Sequence, residues 1–218
     1  DEKRPGPIHA LQGGLSVCAE LTEKLTRILS MASPRVSFLA GDGSDRSYYR
    51  VNDTGGVGTA VLMFLSEKDS ELVRMNQYDW THIKETLEAA GLPVPQILAK
   101  LPEHRVLVIE DCGDHTLETT VQQSTTPSDR ILAYGKPTEY IARMLLIKAD
   151  HNSLWKSRAF DYEKLHFELN FFYQHYVMGF MGEKGLNADL KARLQKDFSD
   201  LSRWLVSYRR FGTHRDYH

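Results

Sequence analysis

The string Thr213-His214-Arg215-Asp216-Tyr217-His218 carries the residue types needed to take a proton from a hydroxyl. A carboxylate such as Asp216 is ionised at neutral pH and orients a hydroxyl by accepting its hydrogen bond, without having to be a strong base. An Asp preceded by His and Arg is how a loop begins that takes the acceptor's proton as its oxygen attacks a nucleotide γ-phosphoryl group. Standing alone, so short a string reads as a solvated polar terminus. His214 and His218 also have the spacing of a helical metal pair. No Glu stands in the His-Glu-x-x-His arrangement, so zinc is set aside.

A second string, Gly41-Asp42-Gly43-Ser44-Asp45-Arg46, lies between two β-rich runs, Arg35 to Leu39 and Tyr48 to Val51. Glycines let a backbone come close to phosphate oxygens, and the exposed N–H groups act as donors. The plain alternative is a hairpin turn; a Rossmann loop is disfavoured because no helix follows. A third is the polar, glycine-punctuated connector Glu110-Asp111-Cys112-Gly113-Asp114, entered directly from the apolar run Val106 to Ile109.

The elements that must position these strings follow from periodicity. Residues 1–14 combine charge, Pro and Gly and predict a loose leader, followed by a helix marked by Leu15, Ala19, Leu21, Leu25, Ile28 and Leu29. The two β-rich runs predict a hairpin, and Ala60 to Leu65 a third antiparallel strand. Ser66 and Asp69 predict a cap for one helix whose buried side is Leu72, Met75, Ile83 and Leu87, ending at Gly91. Residues 121–129 predict a surface loop, and a helix is expected after Pro137, with Ile141, Met144 and Leu145. Two further amphipathic helices are marked by Leu165 to Phe180 and by Leu190 to Tyr208, and the aromatic stretch Phe167 to Tyr176 is expected in the core. A small sheet followed by helices predicts an α+β fold with segregated halves: a leader at 1–14, a first lobe at 15–111 and a helical lobe at 112–218.

Composition narrows the chemistry without naming it. The chain has 218 residues, 41% hydrophobic content and a net charge of −2, which suits a globular protein and disfavours nucleic acid as partner. With Cys18 and Cys112 alone, neither a disulfide framework nor a cysteine zinc site is available, and the usage suits a reducing, cytoplasmic setting. No apolar run reaches the roughly 18 residues that cross a bilayer, so no membrane partner is expected.

Taken together, the strings at 39–51, 61–63, 91–95, 107–114 and 214–218 resemble the aminoglycoside phosphotransferase and choline kinase-like superfamily, and within it the bacterial kinases that phosphorylate N-acetylmuramate and N-acetylglucosamine at the anomeric hydroxyl. The resemblance implies a two-lobed, protein-kinase-like fold and ATP-dependent phosphorylation of a small-molecule hydroxyl, with Mg2+ bridging the phosphates. It implies that Gly41, Asp42, Gly43, Ser44, Asp45 and Arg46 cover the ATP phosphates and that backbone groups around Glu110, Asp111 and Cys112 meet the adenine. Asp216 would be the catalytic base, with His214 and Arg215 holding its loop in shape. Val61 and Ile109 would line the adenine slot, unless they are ordinary core.

Two features depart from the family's pattern. Met63 stands where many kinases carry a strand lysine, a trait shared by the anomeric sugar-kinase branch; Arg46 or Arg50 is then the candidate cation, and Glu71 the candidate helix glutamate. The catalytic-loop Asn and the second metal-binding Asp are expected beyond His218, so the 218 residues by themselves are expected to be inactive. The alternatives left open are an aminoglycoside or choline-type kinase and, in another class, a pseudokinase or nucleotide-binding regulatory module.

Overall fold

The computed structural model describes residues 8–11, 14–17, 19–41, 46–53, 58–148, 153–182, 186–214 and 217. The chain forms two compact units, one extending to Lys136 and one from Pro137 to Tyr217.

The first unit is built on a five-stranded antiparallel sheet. Its strands are β3 (Pro34–Gly41), β4 (Ser47–Asp53), β5 (Thr59–Phe64), β6 (Ile97–Leu101) and β7 (Val106–Glu110), in the order β3-β4-β5-β7-β6. The two central strands, β5 and β7, are the most apolar and the most buried, because a strand covered on both faces cannot afford polar alternation. On one face Ala60, Leu62, Phe64, Val106 and Val108 pack with Leu21 and Leu25 of helix α1 (Ala19–Leu29). On the other, Val61, Met63, Leu107 and Ile109 pack with Val73 and Tyr78.

Val73 belongs to α2 (Glu67–Arg74) and Tyr78 is the N-cap residue of α3 (Asp79–Ala89), two helices where the sequence predicts one. Ser66 caps α2 as expected, its Oγ accepting from the Asp69 N–H at 3.0 Å. The break follows at Asn76, which takes a left-handed φ of 55° that a short polar side chain tolerates. The Lys100 ammonium donates to Asn76 Oδ1 at 3.3 Å, and Met75 is exposed rather than buried. Gly91, with φ 71°, closes α3, and the Leu92 N–H returns to the Leu87 carbonyl at 3.0 Å.

Three other segments differ from expectation. Residues 8–11 and 14–17 form two antiparallel strands, β1 (Ile8–Leu11) paired with β2 (Gly14–Val17), where the sequence predicts a loose leader followed by a helix marked from Leu15. Leu15 and Val17 alternate with period two, a pattern that over so short a run competes with the helical one. Strand β6 carries no strong sequence signal, since its apolar residues are interrupted by Lys100. The expected loop at 121–129 is largely helical, with α4 (Leu117–Gln123) opened by a reciprocal Thr116–Thr119 capping box and α5 (Pro127–Leu145) starting on a proline. Helix α5 runs through Pro137, which has no N–H to give the Ala133 carbonyl; the two units divide at this residue.

The second unit continues with α6 (Leu154–Ser157), α7 (Tyr162–Phe172), a π-helical extension Tyr173–Met181, and α8 (Ala188–Val206). Tyr162 on α7 and Ser199 on α8 share a hydroxyl–hydroxyl hydrogen bond of 3.0 Å. Of the aromatic stretch only Tyr173 is buried among the described residues, while Phe167, Phe171, Phe172 and Tyr176 are exposed. Phe172, Tyr176 and Phe180 stack along the outside, with ring centroids 5.3 and 5.6 Å apart. A helix with one packed neighbour covers one face, and α7 spends it on α8. No helix among the described residues is long and apolar enough to cross a membrane.

Candidate functional site

Two of the sequence strings belong to the same sheet. Gly41 pairs with Ser47, so residues 42–45 join the ends of β3 and β4 in sequence; Asp42, Gly43, Ser44 and Asp45 themselves lie outside the described residues. At that end of the sheet Ser47, Phe64 and Val106 form one cross-strand row. At the other end Val51, Ala60 and Glu110 form another, and the connector leaves from Glu110. The rows are four residues apart along β4, or about 13 Å at roughly 3.3 Å per residue. An extended nucleoside triphosphate has a comparable span.

The side chains between those rows alternate. Tyr48 is paired with Met63, and Arg50 with Val61 and so with Ile109, all on the face covered by α2 and α3. Arg46 is at the hairpin end and near the Tyr78 phenol, whose pKa burial raises while the Arg46 charge opposes the rise. Arg50 lies at the connector end. Its Nη2 donates to Asp111 Oδ1 at 3.0 Å and its Nη1 to Asp114 Oδ1 at 2.7 Å. Its Nε stands 2.7 Å from Asp111 Oδ2, an ionic contact whose angle falls short of a hydrogen bond. Of the two arginines weighed for the missing strand lysine, Arg50 is thus committed to the connector and Arg46 lies by the hairpin.

Met63 itself has no exposed surface and sits in the apolar cluster with Val73 and Tyr78. Glu71, the candidate helix partner, pairs with Arg74 on the surface of α2. Among the described residues no ion pair joins β5 to the helices at this point, since Met63 packs on Val73 and Tyr78.

The connector is held from both sides. Asp111 Oδ1 also accepts from the Gly113 N–H at 3.0 Å, a turn made possible by the φ of 78° at Gly113. Burial pushes the Asp111 carboxyl up, but Arg50, the Gly113 amide and the Thr59 hydroxyl outweigh it and leave the pKa below the ordinary aspartate value. On the other side the Glu110 N–H donates to the Gln96 carbonyl at 2.8 Å, and the Gln96 N–H returns to Glu110 Oε2 at 3.0 Å. Gln96 Nε2 donates to Glu88 Oε1 at 2.9 Å, while the nearly buried Lys84 donates to Glu88 and Gln96. Between these clamps the backbone N–H and C=O of Cys112 have no hydrogen-bond partner among the described residues. Burial, then the charges of Glu110 and Asp111, push the Cys112 thiol up, which disfavours its thiolate.

Sequence reasoning named Glu110, Asp111 and Cys112 but missed Gln96, Lys84 and Glu88. A polar residue just before an apolar strand, and a lysine four residues ahead of a glutamate on a helix, were the available signals.

In the second unit the residues before Asp216 are anchored tightly. A Cβ on Gly212 would lie 2.2 Å from a Trp155 ring carbon and 2.7 Å from the Met144 carbonyl oxygen. Tyr217 donates its hydroxyl to the Pro137 carbonyl at 3.0 Å and packs edge-on to the His214 ring at 5.2 Å. Arg215, Asp216 and His218 lie outside the described residues. Among the described residues no group of three His, Cys, Asp or Glu side chains could hold a metal ion. Comparison of the chain with protein-family models and with curated protein sequences finds no match.

Proposed function

We propose that this chain is the nucleotide-binding lobe and part of the helical lobe of an ATP-dependent small-molecule kinase with a protein-kinase-like fold. The observation that carries the reading is the shared sheet: the glycine hairpin and the polar connector sit at opposite ends, a nucleotide's length apart, and the elements between them come in the order that the family resemblance implies. In this reading the turn at 41–46 covers the phosphates, with Arg46 as the nearby cation, and the free backbone of Cys112 meets the base. Mg2+ neutralises the charge that spreads over the phosphate oxygens during transfer. Asp216 takes the proton of the attacking hydroxyl, and His214 and Arg215 shape its loop. The resemblance of residues 39–51 and 214–218 points to an amino sugar as acceptor, with N-acetylmuramate and N-acetylglucosamine ahead of aminoglycosides or choline.

Phosphoryl transfer from ATP to a panel of amino sugars, assayed on the intact gene product, tests this reading. Asp216→Asn is expected to lower turnover by orders of magnitude while ATP binding persists. Turnover on aminoglycosides alone would move the assignment to that branch. A second reading, a nucleotide-binding module without transferase activity, is favoured by the burial of Met63 where many kinases place a phosphate-binding lysine. Nucleotide binding with no transfer to any acceptor would select it.

A further inference from the structure

The ion pairs of Arg50 are costly to build unless they serve something. Its guanidinium is 17% exposed and the Asp111 carboxylate 5%, so both charges have given up most of their water. A desolvated pair gains little net stability over an apolar pair of the same volume. Asp114, by contrast, is 78% exposed, and it too is drawn onto the same guanidinium. Arg50 therefore gathers residues from both sides of Cys112 onto one planar fork on β4, opposite Val61. Glu110, the residue before them, is fixed separately through Gln96 to α3. The connector's conformation is set by side chains while the backbone of Cys112 is left unpaired.

We propose that Arg50 is a positioning residue for the nucleotide base: by holding Asp111 and Asp114 it keeps the connector in the one conformation that offers the Cys112 backbone as donor and acceptor. The inference rests on the nucleotide-binding reading above and assigns Arg50 to the base end of the ligand, not to the phosphates. An Arg that neutralised phosphate would discriminate ATP from adenosine. One that shapes the base site treats the two alike.

The test is equilibrium binding of ATP and of adenosine to the 218-residue chain and to its Arg50→Lys variant, with the melting temperature measured alongside. Lysine keeps the charge and loses the fork, and it is expected to weaken both ligands in parallel, by about tenfold. A loss confined to ATP overturns the proposal in favour of a phosphate role, and unchanged binding of both overturns it while leaving the nucleotide reading intact. Wild-type chain that binds neither ligand removes the nucleotide reading and the proposal with it. Should Arg50→Lys fail to fold, Asp114→Asn removes only the exposed partner. It is expected to weaken both ligands equally by about threefold, and no effect on either would again overturn the proposal.

Discussion

Arg50 and Asp111 meet through two contacts, Nη2 to Oδ1 at 3.0 Å and Nε to Oδ2 at 2.7 Å, joining β4 to the segment that leaves β7. The pair lies sixty-one positions apart in sequence, so it forms only once the sheet is assembled. Its removal from one side alone strands the other charge at a site with little water.

Acid should reveal this pair. The Asp111 carboxyl titrates below its ordinary value in the folded chain, so folding favours the ionised form. The resulting stabilisation is present above the unfolded aspartate pKa of about 3.9 and is lost as pH falls through the lower folded value. Denaturant unfolding followed from neutral pH to about pH 3 should show a steeper loss of stability in the wild type than in Asp111→Asn. Parallel acid limbs would show that Asp111 carries no net linkage.

Met63 and Arg50 show what the sequence made legible and what it did not. The hairpin, the third strand, the cap at Ser66 and the helical second half followed from local periodicity and turn chemistry, which neighbouring residues specify by themselves. The reach of Arg50 to Asp111 and Asp114 depends on strand register and on the turn at Gly113, neither of which a local pattern encodes. The split of α2 from α3 was missed because Asn76 breaks a helix only through its backbone angle, while the apolar spacing runs on across it. The aromatic ladder at Phe172, Tyr176 and Phe180 has the spacing of a buried face, and its exposure reflects how few neighbours α7 has.

Restoring the usual strand lysine should fail. Met63→Lys places an ammonium in an apolar cluster formed by Val61, Leu65, Val73, Tyr78 and Leu107. An uncompensated buried charge costs about 3 to 5 kcal/mol. The measurement is chemical denaturation of the variant; wild-type stability would mean that the side chain escapes to a partner the packing does not suggest.

Asn76 should tolerate glycine better than alanine. Its φ of 55° costs a residue with an ordinary Cβ roughly 1–2 kcal/mol, whereas glycine takes it freely. The Lys100 contact to Oδ1 is lost in both variants, so the difference between them isolates the backbone. Thermal melts should rank wild type and Asn76→Gly close together and Asn76→Ala lowest. Equal melts for the glycine and alanine variants would place the break between α2 and α3 elsewhere than in this angle.

Gly212 should be the least replaceable residue of the final segment. The chain passes so close to Trp155 that a Cβ would stand 2.2 Å from Cζ2, and 2.7 Å from the Met144 carbonyl, where the backbone cannot yield as a flexible side chain does. Gly212→Ala must therefore push the segment outward or displace the Trp155 ring. Overpacking of this kind costs about 1–3 kcal/mol, and it should be read as a lower melting temperature together with a shift in tryptophan emission. The strain is local to one ring and one carbonyl, so Trp155→Ala in the same chain should recover part of the loss by opening the space that the new methyl needs. The Tyr217 hydroxyl contact to Pro137 fixes the chain three residues past His214, so the displaced backbone has little slack on that side. In the kinase reading this movement is passed to Asp216, and Gly212→Ala should lower turnover in the intact protein more than it raises the KM for ATP. Wild-type stability and emission in Gly212→Ala would show that the segment does not depend on close packing against Trp155.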